Sequence, residues 1–335
     1  MNDVEQNSRG KYSVDAADER RRMMAKHPLL HKGTRPPLWT PPVRECYEAT
    51  KYLIVQRQSF FIEEPTGEGK TMMMRAISNQ LPKDLGDITL TMYEAANKPA
   101  PSIRAFFKGF LSALKHPEKS GETADLRERV HRRLSAWAID TCWQTVVLMI
   151  DEAQALIPED YGFIKDIQNE LESEGIDLVV ISCGESPALG LMLKDMRRKI
   201  SSACGDRFAR HQLRIRGYDE KSIRALLQAI DVACWPAGTS QTWPGFFFPC
   251  AVAHGLLLER DAEILWKGLQ YAGLVRPGEP IGANGRGKKT VQSRKVFDAI
   301  VWAVTEHAEQ DSDSFTLTER DWQRAAVFAA GVPDA

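Results

Sequence analysis

The sequence predicts an α/β protein: a parallel sheet flanked by helices, followed by a smaller, mainly helical domain. Two apolar runs, Thr145–Ile150 and Ile176–Ser182, are continuous and rich in β-branched residues, as strands buried on both faces should be. Strand-like and helix-like stretches alternate from residue 43 at the spacing of right-handed parallel crossovers. Beyond Ile215 that alternation gives way to helical periodicity alone. These features divide the chain into an arm over 1–42, an α/β domain over 43–216 and a helical lid or C-terminal domain over 217–335.

The arm is polar, then basic (Arg20, Arg21, Arg22, Lys26, Lys32, Arg35), then proline-rich at Pro36, Pro37, Pro41 and Pro42, the composition of a solvated or partner-binding extension. A helix over Val43–Gln56 leads into a short strand, Ser59–Ile62, then a Gly-rich turn and a helix over Lys70–Gln80. The alternation of Ile88, Leu90 and Met92 marks a second strand. Two amphipathic helices, Ser102–Lys115 and Ala124–Ile139, precede the Thr145–Ile150 strand, and a helix around Phe163–Glu172 precedes the Ile176–Ser182 strand. Later helices are expected over 219–231 and near 247–258, 260–272, 291–308 and 318–330, with Phe246–Phe248 in their core.

The 335 residues carry 44 Lys and Arg against 45 Asp and Glu, a net charge of −1, which excludes coating of nucleic acid by bulk charge. The six cysteines form no C-x-x-C pair, so neither a disulfide scaffold nor a zinc site is indicated. The first ten residues have no apolar core of a secretory signal, and no apolar run approaches the roughly 18 residues of a membrane span. A cytoplasmic protein is expected.

The chemistry is concentrated in Glu64-Pro65-Thr66-Gly67-Glu68-Gly69-Lys70-Thr71, which follows a strand and opens a helix, the context of a phosphate-binding loop. Gly67 and Gly69 let backbone N–H groups turn inward on phosphate oxygens, with Pro65, Thr66, Glu68 and Met72 completing the cradle. Lys70 is placed to reach the β- and γ-phosphates of ATP, and Thr71 to hold Mg²⁺. The pattern departs at one place: Glu64 stands where a first glycine is usual, and a tolerated distortion is expected. The second motif is the strand ending in Asp151-Glu152, where Asp151 serves Mg²⁺ and Glu152 polarises the attacking water. Ser182 ends the next strand and is the candidate to orient that water, with Glu185 as its competitor.

The phosphate loop, the acid pair within DEAQAL and the polar-ended strand resemble an AAA+ ATPase. Within that superfamily, HPLLHKGTRPPLWTPPVRECYEA, GEGKTMMMRAI and DEAQAL are similar to the transposition regulators TnsC and TniB and, more remotely, IstB and MuB, over roughly 27–215. The resemblance implies ATP-dependent rings or filaments on double-stranded DNA that serve a transposase and, in some systems, a target-selecting complex. It implies a trans-acting arginine in Gly205–Arg210, with Arg207 first, Arg210 second and Arg197 or Arg198 behind them. It implies DNA contacts after the second strand, at Lys98, Arg104 and Lys108, with Lys115 and Lys119 following. The basic run 286–295 opens a late helix, a position that suits Arg294 as a nucleotide-contacting arginine of the lid, with a phosphate or protein contact as the alternative. An ExeA-like remodelling ATPase that never binds DNA, and an ATP-gated scaffold that does not hydrolyse, are the alternatives.

Overall fold

The computed structural model describes residues 18–96, 102–278 and 287–331. It divides into two compact units: Pro42–Arg216, and Gly217–Ala335 together with the segment ending at Pro41.

The first unit runs α1 (Pro41–Val55), β1 (Phe60–Glu64), α2 (Lys70–Leu85), β2 (Thr89–Glu94), α3 (Ile103–Ala113) and α4 (Thr123–Ala138). It continues with β3 (Thr145–Asp151), α5 (Pro158–Ser173), β4 (Asp177–Glu185), α6 (Ala188–Lys199), α7 (Ser202–Phe208) and β5 (His211–Leu213). The five strands form one sheet in the order β2-β3-β4-β1-β5, and every pairing is parallel. Near the middle, β3 is buried at every residue but Asp151. Its period-two geometry sends Val146, Leu148 and Ile150 into a cluster with Phe106, Phe110, Leu134, Ile164 and Leu193 of α3–α6. Val147 and Met149 are equally buried on the opposite face.

Local chemistry sets the helix starts. Ser102 caps α3 by accepting the Ala105 N–H at 3.0 Å. Pro158 occupies the first turn of α5, and Asp160 reaches back to accept the Ile157 N–H at 3.1 Å.

Three strands run two or more residues past their expected ends, β1 continuing beyond Ile62 to Glu64. β2 continues to Glu94 with Thr91 and Tyr93 buried and Met92 38% exposed, so its inward phase beyond Ile88 is opposite to the expected one. β4 continues to Glu185, three residues beyond Ser182. Because all strands are parallel, the phosphate loop leaving β1 and the acids ending β3 lie on one edge of the sheet. The strand order places the end of β4 between them.

The second unit contains α8 (Glu220–Val232), α9 (Trp243–Phe247), α10 (Pro249–Ala253), α11 (Ala262–Tyr271), α12 (Ser293–Glu306) and α13 (Glu319–Ala330). An antiparallel pair, β6 (Arg276–Gly278) and β7 (Gly287–Thr290), adds strand structure that the sequence did not signal. Trp243, Trp322, Phe247 and Phe248 are fully buried in its core.

The expected solvated arm is corrected at His27, Leu29 and Arg35, which are buried, while Arg20, Arg21, Arg22, Lys26 and Lys32 are exposed. Residues 18–26 are helical, and His27 and Leu29 are buried, Leu29 within the core of the helical unit. The His27 ring lies 5.0 Å from Trp235, 5.0 Å from Phe246 and 4.8 Å from Phe247 between centroids. Burial and the nearby Arg35 hold its pKa down at about 4, so it is neutral at physiological pH. Arg35 donates to the carbonyls of Pro28 (2.9 Å) and Leu29 (2.6 Å) and lies 4.2 Å over the Phe297 ring. The basic residue thus closes a turn of its own segment instead of meeting a partner. Leu29→Ala should destabilise the protein by about 2–4 kcal/mol, measured by chemical denaturation, because a buried leucine is replaced by a cavity. A solvated arm would give no change.

Candidate nucleotide site

The phosphate loop has the backbone its glycines are needed for. Gly67 has φ 96° and Gly69 φ 97°, in the left-handed region that an L side chain adopts only with strain, and Gly69 is the residue before α2. Lys70 opens α2 and turns its ammonium back into the loop, donating to the carbonyls of Glu64 at 2.7 Å and Pro65 at 3.1 Å. Pro65, Thr66 and Thr71 are exposed, while Gly67, Glu68, Gly69 and Met72 are half-buried along the same turn.

Glu64 is not a distorted loop position. It is the last residue of β1, its side chain is buried, and its Oε1 accepts the Ile215 N–H at 2.8 Å. Burial pushes its pKa up to about 7, against the opposing pull of that N–H and of Arg214. The absent glycine therefore has a replacement duty: Glu64 ties the phosphate loop to the chain leaving β5.

Asp151 ends β3 and Glu152 follows it in the left-handed region, at φ 52°. Asp151 Oδ1 accepts the Glu152 N–H at 2.9 Å. Its pKa is raised, first by burial and then by the charges of Glu152 and Glu94, while the Glu152 N–H and Lys70 pull it down. Glu94 pairs in register with Asp151 across the sheet edge. A hard cation would relieve this concentration of negative charge, so Thr71 and Asp151 are suitable oxygen donors for Mg²⁺.

Ser182 is corrected as a site residue. It lies inside β4, fully buried, and receives the Tyr161 Oη–H at 2.8 Å. The polar residue that ends β4 is Glu185, whose Oε1 accepts the Thr66 hydroxyl and whose N–H donates to Gln154 Oε1 at 3.1 Å. Gln154 Nε2 in turn donates to Glu152 Oε2 at 2.6 Å. Sequence reasoning missed Gln154 and Glu94; the amide within DEAQAL was the only available sign of the first, and a strand read two residues too short concealed the second.

The remaining candidates lie elsewhere. Arg207, on α7, meets Glu172 of α5 at 3.5 Å, and Arg210 just beyond that helix is exposed. Arg197 donates to the Ala209 carbonyl at 3.0 Å, and Arg198 pairs with Asp195 at 3.2 Å. Arg104 and Lys108 share the exposed side of α3, and Lys115 and Lys119 are exposed after it. Lys98 and Arg286 lie outside the described residues. Arg294 is exposed in the first turn of α12, within the helical unit. Neighbouring basic residues of that run have partners: Lys295 donates to the Ala329 carbonyl at 2.6 Å and Lys288 is 3.6 Å from Asp219.

Residues 56–192 match the family described as "AAA domain", a span that begins at the end of α1 and ends within α6. No curated protein matches the chain. Among similar solved structures is the Aeropyrum pernix ORC1 protein in complex with DNA, with TM-score 0.51 and 13% identity, covering 89% of this chain and 67% of that one. Domain III of the Thermotoga maritima replication initiation protein DnaA has TM-score 0.45 and 15% identity, covering 86% and 92%. Drosophila ORC bound to DNA has TM-score 0.45 and 11% identity, covering 87% and 60%. At such identities the likeness is one of fold. The fold is that of the P-loop AAA+ proteins, a five-stranded parallel sheet flanked by helices and followed by a helical region.

Glu64 gives this site a pH signature. The folded protein holds that carboxyl's proton up to about pH 7, whereas the unfolded chain releases it near 4.5. Its contribution to stability is complete below 4.5 and falls as pH rises to 7, by no more than about 1.4 kcal/mol per pH unit. Glu64→Gln should remove that slope, so its stability relative to wild type should increase between pH 5 and 7 in denaturant titrations. An identical pH profile for the two proteins would contradict the assignment.

Proposed function

We propose that this chain is an ATP-hydrolysing AAA+ protein that assembles head to tail on double-stranded DNA and regulates DNA transposition by presenting a platform to a transposase. The observation that carries the nucleotide part is the convergence on one sheet edge of the Gly67–Gly69 loop, Lys70 and the Asp151–Glu152 pair. The Lys70 ammonium leaves its two loop carbonyls for the β- and γ-phosphates, and the amides at the start of α2 add the positive end of that helix. Thr71 and Asp151 would hold Mg²⁺, which when bound would neutralise charge on the phosphate oxygens. Glu152 takes the proton of the water that attacks the γ-phosphorus; the bond to the leaving oxygen breaks, giving ADP and phosphate. Arg207 of a second copy, with Arg210 beyond it, stabilises the transferring group. That requirement for a second subunit makes assembly ATP-dependent, and head-to-tail contacts close as rings or continue as filaments.

Support for DNA comes from two sources. Arg104 and Lys108, one helical turn apart, are both exposed on α3, and Lys115 and Lys119 are exposed after it. The similar Aeropyrum pernix ORC1 protein was solved in complex with DNA. Contacts of this kind engage phosphates and not bases, so a net charge of −1 is no obstacle: counterion release depends on the few cations that touch the duplex. Arg294 serves the nucleotide from the lid. The transposition part rests on the sequence resemblance over 27–215.

Lys70→Ala should weaken ATP binding, while Glu152→Gln should retain ATP and the assembled state with hydrolysis slower by about two to four orders of magnitude. Rapid turnover by Glu152→Gln would assign the water to another residue. In a strand-transfer assay with a transposase as partner, the Glu152→Gln chain should alter insertion frequency; insertion indifferent to the chain removes the transposition reading. Replacing Arg104 and Lys108 together with Ala should weaken binding to all duplex sequences alike. It should also flatten the log K against log salt slope by up to about two units, at about 0.9 per phosphate. An unchanged slope would place the DNA surface away from α3.

A further inference from the structure

Glu152 sits two residues upstream of a side chain whose amide is held at both ends. Gln154 Oε1 accepts the backbone N–H of Glu185 at 3.1 Å, which fixes the orientation of the amide and leaves its NH₂ facing the Glu152 carboxylate. Nε2 then donates to Glu152 Oε2 at 2.6 Å. The same Glu185 accepts the hydroxyl of Thr66, in the phosphate loop. A continuous chain of hydrogen bonds therefore runs from the loop, through the end of β4, to the carboxylate after β3. Strand order explains why it closes here, since β4 lies between β1 and β3.

Two further observations show that the arrangement is built in. A Cβ on Gly184 would collide with Gln154 Oε1 and stand 3.1 Å from Leu189 Cβ, so any larger residue at this strand position must displace the amide. Glu152 itself occupies the left-handed region at φ 52°, a conformation costing an L residue about 1 kcal/mol and persisting where surrounding bonds hold it.

We propose that Gln154 is a positioning residue for hydrolysis: its amide fixes Glu152 through one carboxylate oxygen, leaves the other for the attacking water, and links that placement to the phosphate loop through Glu185 and Thr66. The inference rests on the assignment of Glu152 as the group that polarises water. The bonds of the Gln154 amide go to Glu152 and Glu185, so its removal should affect the rate of turnover and not nucleotide affinity. A charge-assisted hydrogen bond is among the stronger ones available to a side chain, and misplacement of a catalytic group by about 1 Å is enough to cost about a hundredfold in rate.

The test measures single-turnover hydrolysis and ATP affinity, with DNA present, for the wild type and for four variants: Gln154→Met, Gln154→Glu, Gly184→Ala and Glu152→Gln. Met fills the space of Gln without either bond, and Glu keeps the shape but loses the donor. Gly184→Ala displaces the amide without altering it. The expected result is a fall in turnover of tenfold or more in all three Gln154 and Gly184 variants, with ATP dissociation constants within about threefold of wild type and unchanged thermal melting for Gln154→Met. Wild-type turnover by Gln154→Met would reduce Gln154 to packing and overturn the proposal, as would a parallel loss of ATP affinity. If the wild type turns over and Glu152→Gln does not, while the Gln154 variants behave as wild type, this inference alone falls. A wild-type chain that binds ATP and never hydrolyses it overturns both this inference and the hydrolytic function it rests on.

Discussion

Lys70 stands among carboxylates at the carboxyl edge of the parallel sheet, and the charge balance there governs how the surrounding residues are arranged. Asp151 is repelled by Glu152 and Glu94 and attracted by Lys70; Glu64 is repelled by Glu68 and attracted by the same ammonium. Partial burial weakens solvent screening, so each charge needs an immediate partner. Glu64 resolves this by holding its proton and accepting the Ile215 N–H. Asp151 uses the next residue's N–H, Glu152 uses the Gln154 amide, Glu185 uses the Thr66 hydroxyl, and Lys70 uses two loop carbonyls. Glu64, Asp151 and Glu185 end β1, β3 and β4, Glu152 and Gln154 follow β3, and Lys70 opens α2, all at the edge of a sheet sealed by the apolar residues of β3 and β4.

How much of this was legible depended on whether the signal was local. β3 was legible because a strand covered on both faces must be apolar throughout, and Thr145–Asp151 is. The phosphate loop was legible because Gly67 and Gly69 take backbone conformations that other residues avoid. The end of β4 was not. Its pairing with β3 stops at Ile150 opposite Ser182, where the apolar run stops too, but its pairing with β1 continues through Glu64 opposite Glu185. The hydrogen-bond ladder thus outlasts the hydrophobic pattern by three residues, and Ser182 turned to Tyr161 instead of the site. β2, at the sheet edge, presents Met92 outward, so alternation alone gave the wrong phase. Gln154 acts through the N–H of a residue 31 positions away, and composition carries no trace of that.

The arm illustrates a different limit. Eight lysines and arginines and five prolines within 42 positions describe an average solvation, whereas burial is decided by a few apolar and aromatic contacts. His27 enters a group of aromatic rings by remaining neutral, and Arg35 enters the same unit by spending its donors on Pro28 and Leu29 carbonyls. Neither accommodation alters the charge count of the segment, so the count was a poor guide to its place.

Because residues before Pro42 belong to the helical unit, the α/β unit is an insertion within it: the chain leaves once near Pro41 and returns once near Gly217. The two passes are tied together on each side. Thr40 Oγ1 is 3.1 Å from Tyr218 Oη in one unit, and Arg216 Nη1 is 3.5 Å from Glu45 Oε2 in the other. Proline at both 41 and 42 fixes φ on the outgoing pass. A single backbone nick in either pass would leave the units joined, and only a second cut in the other would separate them.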